Sequence, residues 1–228
     1  MTVMRDLDLD INASEVKRRL GMTTSSKAWG QVSDMILKTR DLLRPQWICR
    51  PSDVQDKSET TVAVEGVLFR SKVLRKNLDQ AERVFPFVVT LGDEVEKTLR
   101  RTEDPLQQYY LDTIANVALV DVLKSLGLYL NRQYKLEKLA YMNPGSLPDW
   151  PLQEQAQLFR LLGDVSGSIG VHLTPSMLMM PSKSLSGIYF PTEVSFESCQ
   201  LCPRQGCPSR KAAYDRKLAS DYGLLDQG

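Results

Sequence analysis

The stretch from residue 141 to residue 190 constrains the fold of this chain more than any other part. It opens with Tyr141-Met-Asn-Pro-Gly-Ser-Leu-Pro-Asp-Trp-Pro151, in which three prolines and a glycine exclude a helix interior or a sheet ladder. It closes with Leu185-Ser-Gly-Ile-Tyr-Phe190, an apolar run that predicts a strand. One short helix signal lies between these ends. Because glycine lets other groups approach the backbone closely, Gly145 and Gly187 predict a surface for a flat ligand.

The rest of the chain carries a mixture of helix and strand signals. The spacing of apolar residues and the capping signals predict helices over 12–20, 29–43, 72–77, 93–101, 105–130, 152–162 and 211–224. Apolar and β-branched runs predict strands over 47–50, 61–69 and 85–91. Residues 53–60 are expected to form a loop and 163–170 a flexible turn. The helix that Pro105 opens is the predicted central core helix, and Asp149 is the predicted cap of the helix over 152–162.

The composition and charge of the chain indicate a folded, water-soluble protein. Its 228 residues suit one domain with a small appendix, and 42% hydrophobic with 25% charged residues is ordinary. The net charge of +1 argues against a broad nucleic-acid surface. No apolar run approaches about 18 residues, and residues 1–11 lack the apolar core of a secretory signal. We therefore expect a cytoplasmic protein with neither a nucleic-acid nor a membrane partner.

Three of the four cysteines lie close together near the C-terminus. Cys199 and Cys202 form a Cys-x-x-Cys pair, and Cys207 follows five residues later. Such thiolates suit an iron–sulfur cluster or a structural zinc ion, and Cys49 is the remaining candidate for the fourth ligand. Basic side chains that would offset part of the thiolate charge are Arg204, Arg210 and Lys211. The spacing does not separate iron–sulfur from zinc, and free thiols or a regulatory disulfide remain a third interpretation.

A set of short motifs surrounds the proline–glycine loop and the glycine-containing strand. These motifs are Pro144-Gly145, Pro148-Asp149, Pro151, Leu173-Thr174, Met180-Pro181 and Ser184-Leu-Ser-Gly-Ile-Tyr-Phe190. They resemble the activation (reactivation) domain of cobalamin-dependent methionine synthase, specifically over roughly residues 140–190. The resemblance implies a stand-alone member with an α+β fold, in which helices flank a twisted, mostly antiparallel sheet. The expected division is a body over 1–192 and a cysteine-rich appendix with a C-terminal helix over 193–228, which the resemblance does not cover.

The same resemblance implies a site for S-adenosylmethionine. In that family the proline–glycine loop and the Ser-x-Ser-Gly-x-Tyr-Phe strand form the site. Tyr189 aligns with a tyrosine that contacts the ligand, and Asn143, Pro144 and Gly145 align with the loop whose backbone meets it. From the residues alone, Tyr189 is an ordinary strand aromatic and the loop only turns the chain.

The chain departs from the family at the start of this loop. Tyr141 stands where the family has an arginine that pairs with the ligand carboxylate, and tyrosine does not replace a bidentate guanidinium. On the long helix, Asp112 or Asp121 is implied to meet the cationic part of the ligand, the alternative being a solvated helix face. His172, the only histidine, is expected to be a partly buried structural residue, with an approach to cobalt as the alternative.

The function that the resemblance implies is reductive reactivation of a corrinoid methyltransferase such as methionine synthase. The chain would dock on the cobalamin-carrying module of this partner, with S-adenosylmethionine as methyl donor and an iron–sulfur cluster as electron donor. The alternative is a non-catalytic corrinoid-protein binding or assembly partner with a structural zinc site and no S-adenosylmethionine binding. A ligand-binding domain of unrelated purpose is the third interpretation.

Overall fold

The computed structural model describes residues 1–207 and 209–225. Pro208 and residues 226–228, which belong to the predicted C-terminal segment, lie outside the described residues. The helices are α1 (Ala13–Arg19), α2 (Trp29–Leu42), α3 (Lys72–Asn77), α4 (Glu94–Arg101), α5 (Pro105–Tyr134), α6 (Gln155–Leu162), α7 (Val165–Ile169) and α8 (Arg216–Asp221). The strands are β1 (Thr2–Met4), β2 (Gln46–Cys49), β3 (Ser52–Lys57), β4 (Thr61–Val64), β5 (Val67–Arg70), β6 (Arg83–Thr90), β7 (Leu139–Met142), β8 (His172–Leu173), β9 (Met179–Met180) and β10 (Ser184–Pro191).

Eight of these strands form one antiparallel sheet around β6. The order along the main path is β1-β2-β6-β3-β4-β5, with β10 beside β6 and β7 beside β10. Seven of the eight residues of β6 are buried, as expected of an apolar strand with neighbours on both edges and layers on both faces. Strands β8 and β9 form a separate small hairpin. The predicted α+β fold with an antiparallel sheet and flanking helices is confirmed.

The long helix α5 packs across one face of the sheet. Asp104 caps its start by accepting hydrogen bonds from the main-chain N–H groups of Leu106 and Gln107, and Pro105 occupies its first turn. Its buried residues run from Tyr110 to Leu130 and join the largest hydrophobic cluster. By length and composition α5 is also apolar enough to cross a membrane, because its best window has a mean hydropathy of 1.4; half of that window is buried within the protein.

Several local predictions from the sequence are wrong, among them the single strand over 61–69, which is the β4–β5 hairpin. The expected loop over 53–60 is mostly β3, a strand with polar and exposed residues that shows no apolar alternation. Residues 141 and 142, expected to begin the loop, belong instead to β7. The expected turn over 163–170 contains α7, because the side chain of Asp164 caps it at the N–H of Gly167. The final helix, expected over 211–224, is the shorter α8.

The C-terminal segment packs against the second hydrophobic cluster, which lies between the β4–β5 hairpin, α3 and the loop after β7. Leu201 and Ala219 are buried there, and the Phe196 ring lies 6.3 Å from that of Phe190. The Tyr222 hydroxyl donates a hydrogen bond of 2.7 Å to the side chain of Asn77 on α3. The segment is thus tied to the body, while the predicted boundary at residue 193 stays a prediction.

Candidate functional site

The candidate site is built on two neighbouring strands, β7 and β10. Tyr141 and Tyr189 are directly opposed partners in this antiparallel pair, and their ring centroids lie 5.2 Å apart. The ring of Phe87 on β6 lies 5.0 Å from that of Tyr189. Cross-strand aromatic pairs of this kind stabilise a sheet locally. Among the described residues β7 pairs only with β10, so its other edge carries no strand.

Tyr189 lies on the inner side of this aromatic group. It is 5% exposed, and its hydroxyl donates a hydrogen bond of 2.9 Å to the main-chain carbonyl of Leu123 on α5. Burial raises the pKa of Tyr189 above its usual value, so the phenol stays neutral. Gly127 on α5 leaves room for it, because a Cβ atom there would lie 3.3 Å from the Tyr189 hydroxyl. The hydroxyl of Tyr189, the tyrosine predicted to contact the ligand, is therefore hydrogen-bonded to α5 in the protein interior.

The loop after β7 is docked on β10. The side-chain amide of Asn143 donates a hydrogen bond of 2.6 Å to the carbonyl of Ser186, and Pro144 is buried. Gly187 permits this approach, because a Cβ atom there would lie 2.4 Å from the Met142 carbonyl oxygen. Gly145 has a φ of +80° and donates its N–H to the carbonyl of Trp150 at 2.7 Å. Gly187 thus lets the loop approach β10, and Gly145 closes the loop on itself. The ligand surface predicted at these two glycines stays a prediction.

The role predicted for Asp149 as cap of the following helix is wrong. Its carboxylate caps α3 instead, far away in sequence, by accepting hydrogen bonds from the N–H groups of Lys72 at 3.2 Å and Val73 at 3.0 Å. It also accepts a hydrogen bond from the hydroxyl of Ser71, the residue that precedes α3. The loop is thereby fixed to α3 as well as to β10.

The two candidate carboxylates on α5 have partners of their own. Asp112 pairs with Lys183 at 2.6 Å and accepts a hydrogen bond from Asn116 at 2.8 Å. Asp121 pairs with Lys124 at 2.9 Å. The contacts of neither carboxylate include the Tyr141–Tyr189 pair, so the structure does not bring these predicted site residues together.

The described part of residues 199–212, which we call the cysteine segment, approaches Tyr141 through Lys211. Lys211 places its ammonium beside the Tyr141 hydroxyl, 4.9 Å from the ring centroid, and donates a hydrogen bond to that hydroxyl. The main-chain N–H of Lys211 points to the sulfur of Cys199 at 3.5 Å. The guanidinium of Arg210 donates to main-chain carbonyls of the same segment: those of Cys199, Cys202, Arg204 and Ala212. No local sequence pattern indicates the Lys211–Tyr141 contact, because it joins residues 70 positions apart.

The four cysteines predicted as metal ligands do not form one set. Cys199, Cys202 and Cys207 are partly exposed in the C-terminal segment, whereas Cys49 is 2% exposed in β2, within the cluster packed around α5. Burial raises the pKa of the Cys49 thiol to about 12, so it is not a thiolate at neutral pH. Within residues 1–207 and 209–225, no three histidine, cysteine or acidic side chains converge on a metal position.

A separate cavity of about 320 Å³ lies between α4 and the β8–β9 hairpin. Its walls include Asp93, Glu96, Arg100, His172, Met180 and Pro181. The Glu96 carboxylate is engaged on both sides, by Arg100 at 2.5 Å and by the N–H of Ser182 at 2.6 Å. The expectation of a partly buried His172 is wrong, because this side chain is exposed at the cavity wall. Sequence reasoning did not find this cavity, which depends on how a helix and a distant hairpin meet.

Comparison with known proteins shows that the segment carrying the candidate site is similar to a known sequence family. Residues 129–198 match the family model described as "Vitamin B12 dependent methionine synthase, activation domain", and this range contains β7, the loop and β10. No curated protein sequence matches the chain. The fold is similar to that in the crystal structure of the MetH reactivation domain bound to AdoHcy, with a TM-score of 0.57 and 15% sequence identity over 87% of this chain and 81% of that chain. The matched segment and the shared fold together confirm the resemblance to the activation domain of vitamin B12-dependent methionine synthase.

Proposed function

We propose that this protein is a cytoplasmic activation factor that restores an oxidised corrinoid methyltransferase of the methionine synthase kind. The observation that carries the proposal is the unit formed by β7, the proline–glycine loop and β10, because this unit lies wholly within the matched residues 129–198. The partner would bring the cobalamin, and the chain would dock on the module that holds it. Cob(II)alamin becomes methylcobalamin when it gains one electron and a methyl group, and the docked chain would position the methyl donor.

The ligand we propose for the β7–β10 edge is S-adenosylmethionine, and its product S-adenosylhomocysteine. The structurally similar MetH domain holds AdoHcy, which supports this choice of ligand class. Three features of this chain offer main-chain groups and an aromatic surface: the edge of β7 that carries no strand among the described residues, the carbonyl groups of the exposed Gly145 and Ser146, and the ring of Tyr141. Backbone groups and aromatic rings suit a nucleoside with an amino-acid tail.

The electron would come through the cysteine segment in our proposal. Cys199, Cys202 and Cys207 would have to be drawn together to hold an iron–sulfur cluster, because they do not converge on one metal position in the described residues. Such a cluster supplies one-electron transfer when bound. Two features of this segment suit thiolate ligands: the N–H of Lys211 points to the Cys199 sulfur, and the Arg210 guanidinium adds positive charge. Zinc on the same cysteines would instead make the segment structural, and the electron would then need another source.

The proposed function is tested with the purified full chain and a cob(II)alamin-loaded corrinoid module of a methionine synthase. We expect S-adenosylmethionine and a one-electron reductant to convert the cob(II)alamin spectrum to that of methylcobalamin only when the chain is present. Titration calorimetry should show binding of S-adenosylhomocysteine. An unchanged cobalamin spectrum with and without the chain would overturn the proposal.

The metal is tested separately on protein purified without oxygen. Iron and sulfide in equal amounts, with a broad visible absorbance that bleaches with dithionite, would support the electron-transfer role. The matched control replaces Cys199 and Cys202 by serine together and should lose both iron and colour. Zinc without iron would overturn the electron-transfer role.

A second function is favoured by one specific observation. The polar groups of Tyr189 and Gly145 that the family resemblance assigns to the ligand are already engaged, by the carbonyls of Leu123 and Trp150. This favours a non-catalytic binding or assembly partner of a corrinoid protein, without S-adenosylmethionine. Under this alternative, the chain binds the corrinoid module in a pull-down experiment, and calorimetry shows no heat with S-adenosylhomocysteine.

A further inference from the structure

We propose that Lys211 is the residue of this chain that recognises the carboxylate of the ligand's amino-acid tail, and that the cysteine segment holds it in place. The inference rests on the proposed function, because it concerns the same β7–β10 site. It assigns a specificity-determining role to a residue outside the matched range 129–198. It also links the cysteine segment to ligand binding without requiring a particular metal.

The first support for this assignment is the position of the Lys211 ammonium. It lies beside the hydroxyl of Tyr141, which belongs to β7, and the other edge of β7 has no neighbouring strand among the described residues. Lys211 is exposed, so a ligand can reach it. An ammonium has three N–H donors, and the Tyr141 hydroxyl takes one of them. Donors therefore remain for a carboxylate at this edge.

The second support is that two arginines of the sheet region, Arg50 and Arg83, already have partners of their own. Arg50 donates its guanidinium to the carbonyl of Leu161 at 3.0 Å and lies 3.9 Å from the carboxylate of Glu65. Arg83 on β6 pairs with Asp53 at 3.1 Å. A carboxylate that is partly desolvated at an aromatic surface needs a cation or several N–H donors. In the part of the chain that the structure describes, Lys211 meets this need at the Tyr141 ring.

The third support is the way in which the cysteine segment fixes the main chain at Lys211. Its N–H points to the sulfur of Cys199, and the preceding residue, Arg210, spans main-chain carbonyls of the same segment from Cys199 to Ala212. A change at the Cys199 sulfur therefore acts on the residue that carries the ammonium. Ligand affinity at the β7–β10 edge should respond to the state of this cysteine.

The experiment measures the affinity of the full-length protein for two probes by titration calorimetry. S-Adenosylhomocysteine carries the amino-acid tail, and 5′-methylthioadenosine has the same nucleoside and thioether without the carboxylate. We expect Lys211→Gln to weaken S-adenosylhomocysteine about tenfold and to leave methylthioadenosine unchanged, since one charge-assisted contact is lost. Lys211→Arg should retain most of the affinity. Lys217→Gln, an exposed lysine on α8, is the matched control and should bind both probes as the wild type does.

Cys199→Ser is the second variant, and it tests the support that the cysteine segment gives. We expect about threefold weaker S-adenosylhomocysteine binding with unchanged methylthioadenosine binding, because the ammonium is less well positioned. Unchanged S-adenosylhomocysteine binding in Lys211→Gln, or an equal loss for both probes, would overturn the role of Lys211. If the wild type binds neither probe, the ligand of the proposed function fails and this inference fails with it. That result differs from failure of the inference alone, in which the wild type binds both probes.

Discussion

The hydroxyl of Tyr189 in β10 donates a hydrogen bond to the main-chain carbonyl of Leu123 in α5 at 2.9 Å. This bond joins the candidate site to the core helix, because Tyr189 also contacts the rings of Tyr141 and Phe87 on the neighbouring strands. A neutral, buried phenol suits this role, since burial raises its pKa. The floor of the site is therefore a part of the hydrophobic core, and the groups left for a ligand are those at the β7 edge.

Removal of the Tyr189 hydroxyl should lower stability by a modest amount. We expect Tyr189→Phe to reduce the free energy of unfolding by about 1 kcal/mol, because one buried hydrogen bond is lost while the ring stays. Chemical denaturation followed by circular dichroism measures the change. Tyr109→Phe is the control, since Tyr109 is 54% exposed, and it should have no measurable effect. Equal stability of Tyr189→Phe and the wild type would show that the bond to Leu123 contributes nothing.

A side chain at position 187 should separate the loop from β10. In Gly187→Ala the new Cβ would lie 2.4 Å from the Met142 carbonyl oxygen and 2.9 Å from the Phe87 ring. Because main-chain atoms must move to relieve this overlap, we expect a loss of about 1–3 kcal/mol in unfolding free energy. Thermal unfolding measures it.

Gly30→Ala is the matched control for this substitution. Gly30 lies within α2 and a Cβ atom there meets nothing within 4 Å, so the variant should be as stable as the wild type or more stable by about 0.5–1 kcal/mol. If Gly187→Ala and the wild type have the same melting temperature, then the close approach of loop and strand does not require a glycine at this position.

The sequence predicted the long helix and the central strand well because both depend on patterns within a short window. The helix that Pro105 opens has its cap, its first-turn proline and its apolar spacing in one continuous run. The apolar run around Val88 likewise predicts a buried strand from its own residues. The family motifs gave the fold in the same way, since they lie together between residues 140 and 190.

The contacts that complete the site could not be predicted from the sequence, because they join residues that are far apart in the chain. A helix is predicted to begin shortly after Asp149, so the sequence predicts that Asp149 caps it. Only the folded chain shows that the carboxylate accepts hydrogen bonds from α3 instead. Lys211 comes after a cysteine motif, which predicts that its charge offsets that of the thiolates, whereas in the fold its ammonium contacts Tyr141. Polar β3 and its exposed residues show no alternation, so pairing with β4 and not propensity makes it a strand.

Loss of the Asp149 carboxylate should destabilise α3 and the loop together. We expect Asp149→Ala to cost about 1–2 kcal/mol, because two N–H groups at the start of a helix lose their acceptor. Hydrogen exchange should show faster exchange at Lys72 and Val73. Asp56→Ala, an exposed position in β3, is the control and should leave both the stability and the exchange unchanged. Normal protection of α3 in Asp149→Ala would contradict the assignment of this cap.

Acid should weaken the N-terminal region through Glu15. The hydrogen bond from Arg18, opposed by partial burial and assisted by Arg19, lowers the pKa of Glu15 to about 2 from its ordinary 4.5. Since the unfolded chain binds this proton more readily, the contribution is present above pH 4.5 and is lost as the pH falls towards 2. Arg18 is largely exposed, so we expect only about 1 kcal/mol. Urea unfolding at neutral pH and at pH 3 measures the free energy of unfolding of the wild type and of Glu15→Gln. The difference between the two proteins should be smaller at pH 3. A difference that does not change with pH would refute the linkage.

Thiol labelling should separate Cys49 from the three cysteines of the C-terminal segment. The Cys49 thiol is buried, which raises its pKa to about 12, so almost none of it is the reactive thiolate at neutral pH. After treatment with a chelator and a reductant, we expect a maleimide to label Cys199, Cys202 and Cys207 in the folded protein within minutes. Mass spectrometry of the peptides should find Cys49 labelled only after the protein is unfolded in guanidinium chloride, which also serves as the control for its reactivity. Rapid labelling of Cys49 in the folded protein would mean that β2 is open to solvent and that this cysteine could still join the others as a ligand.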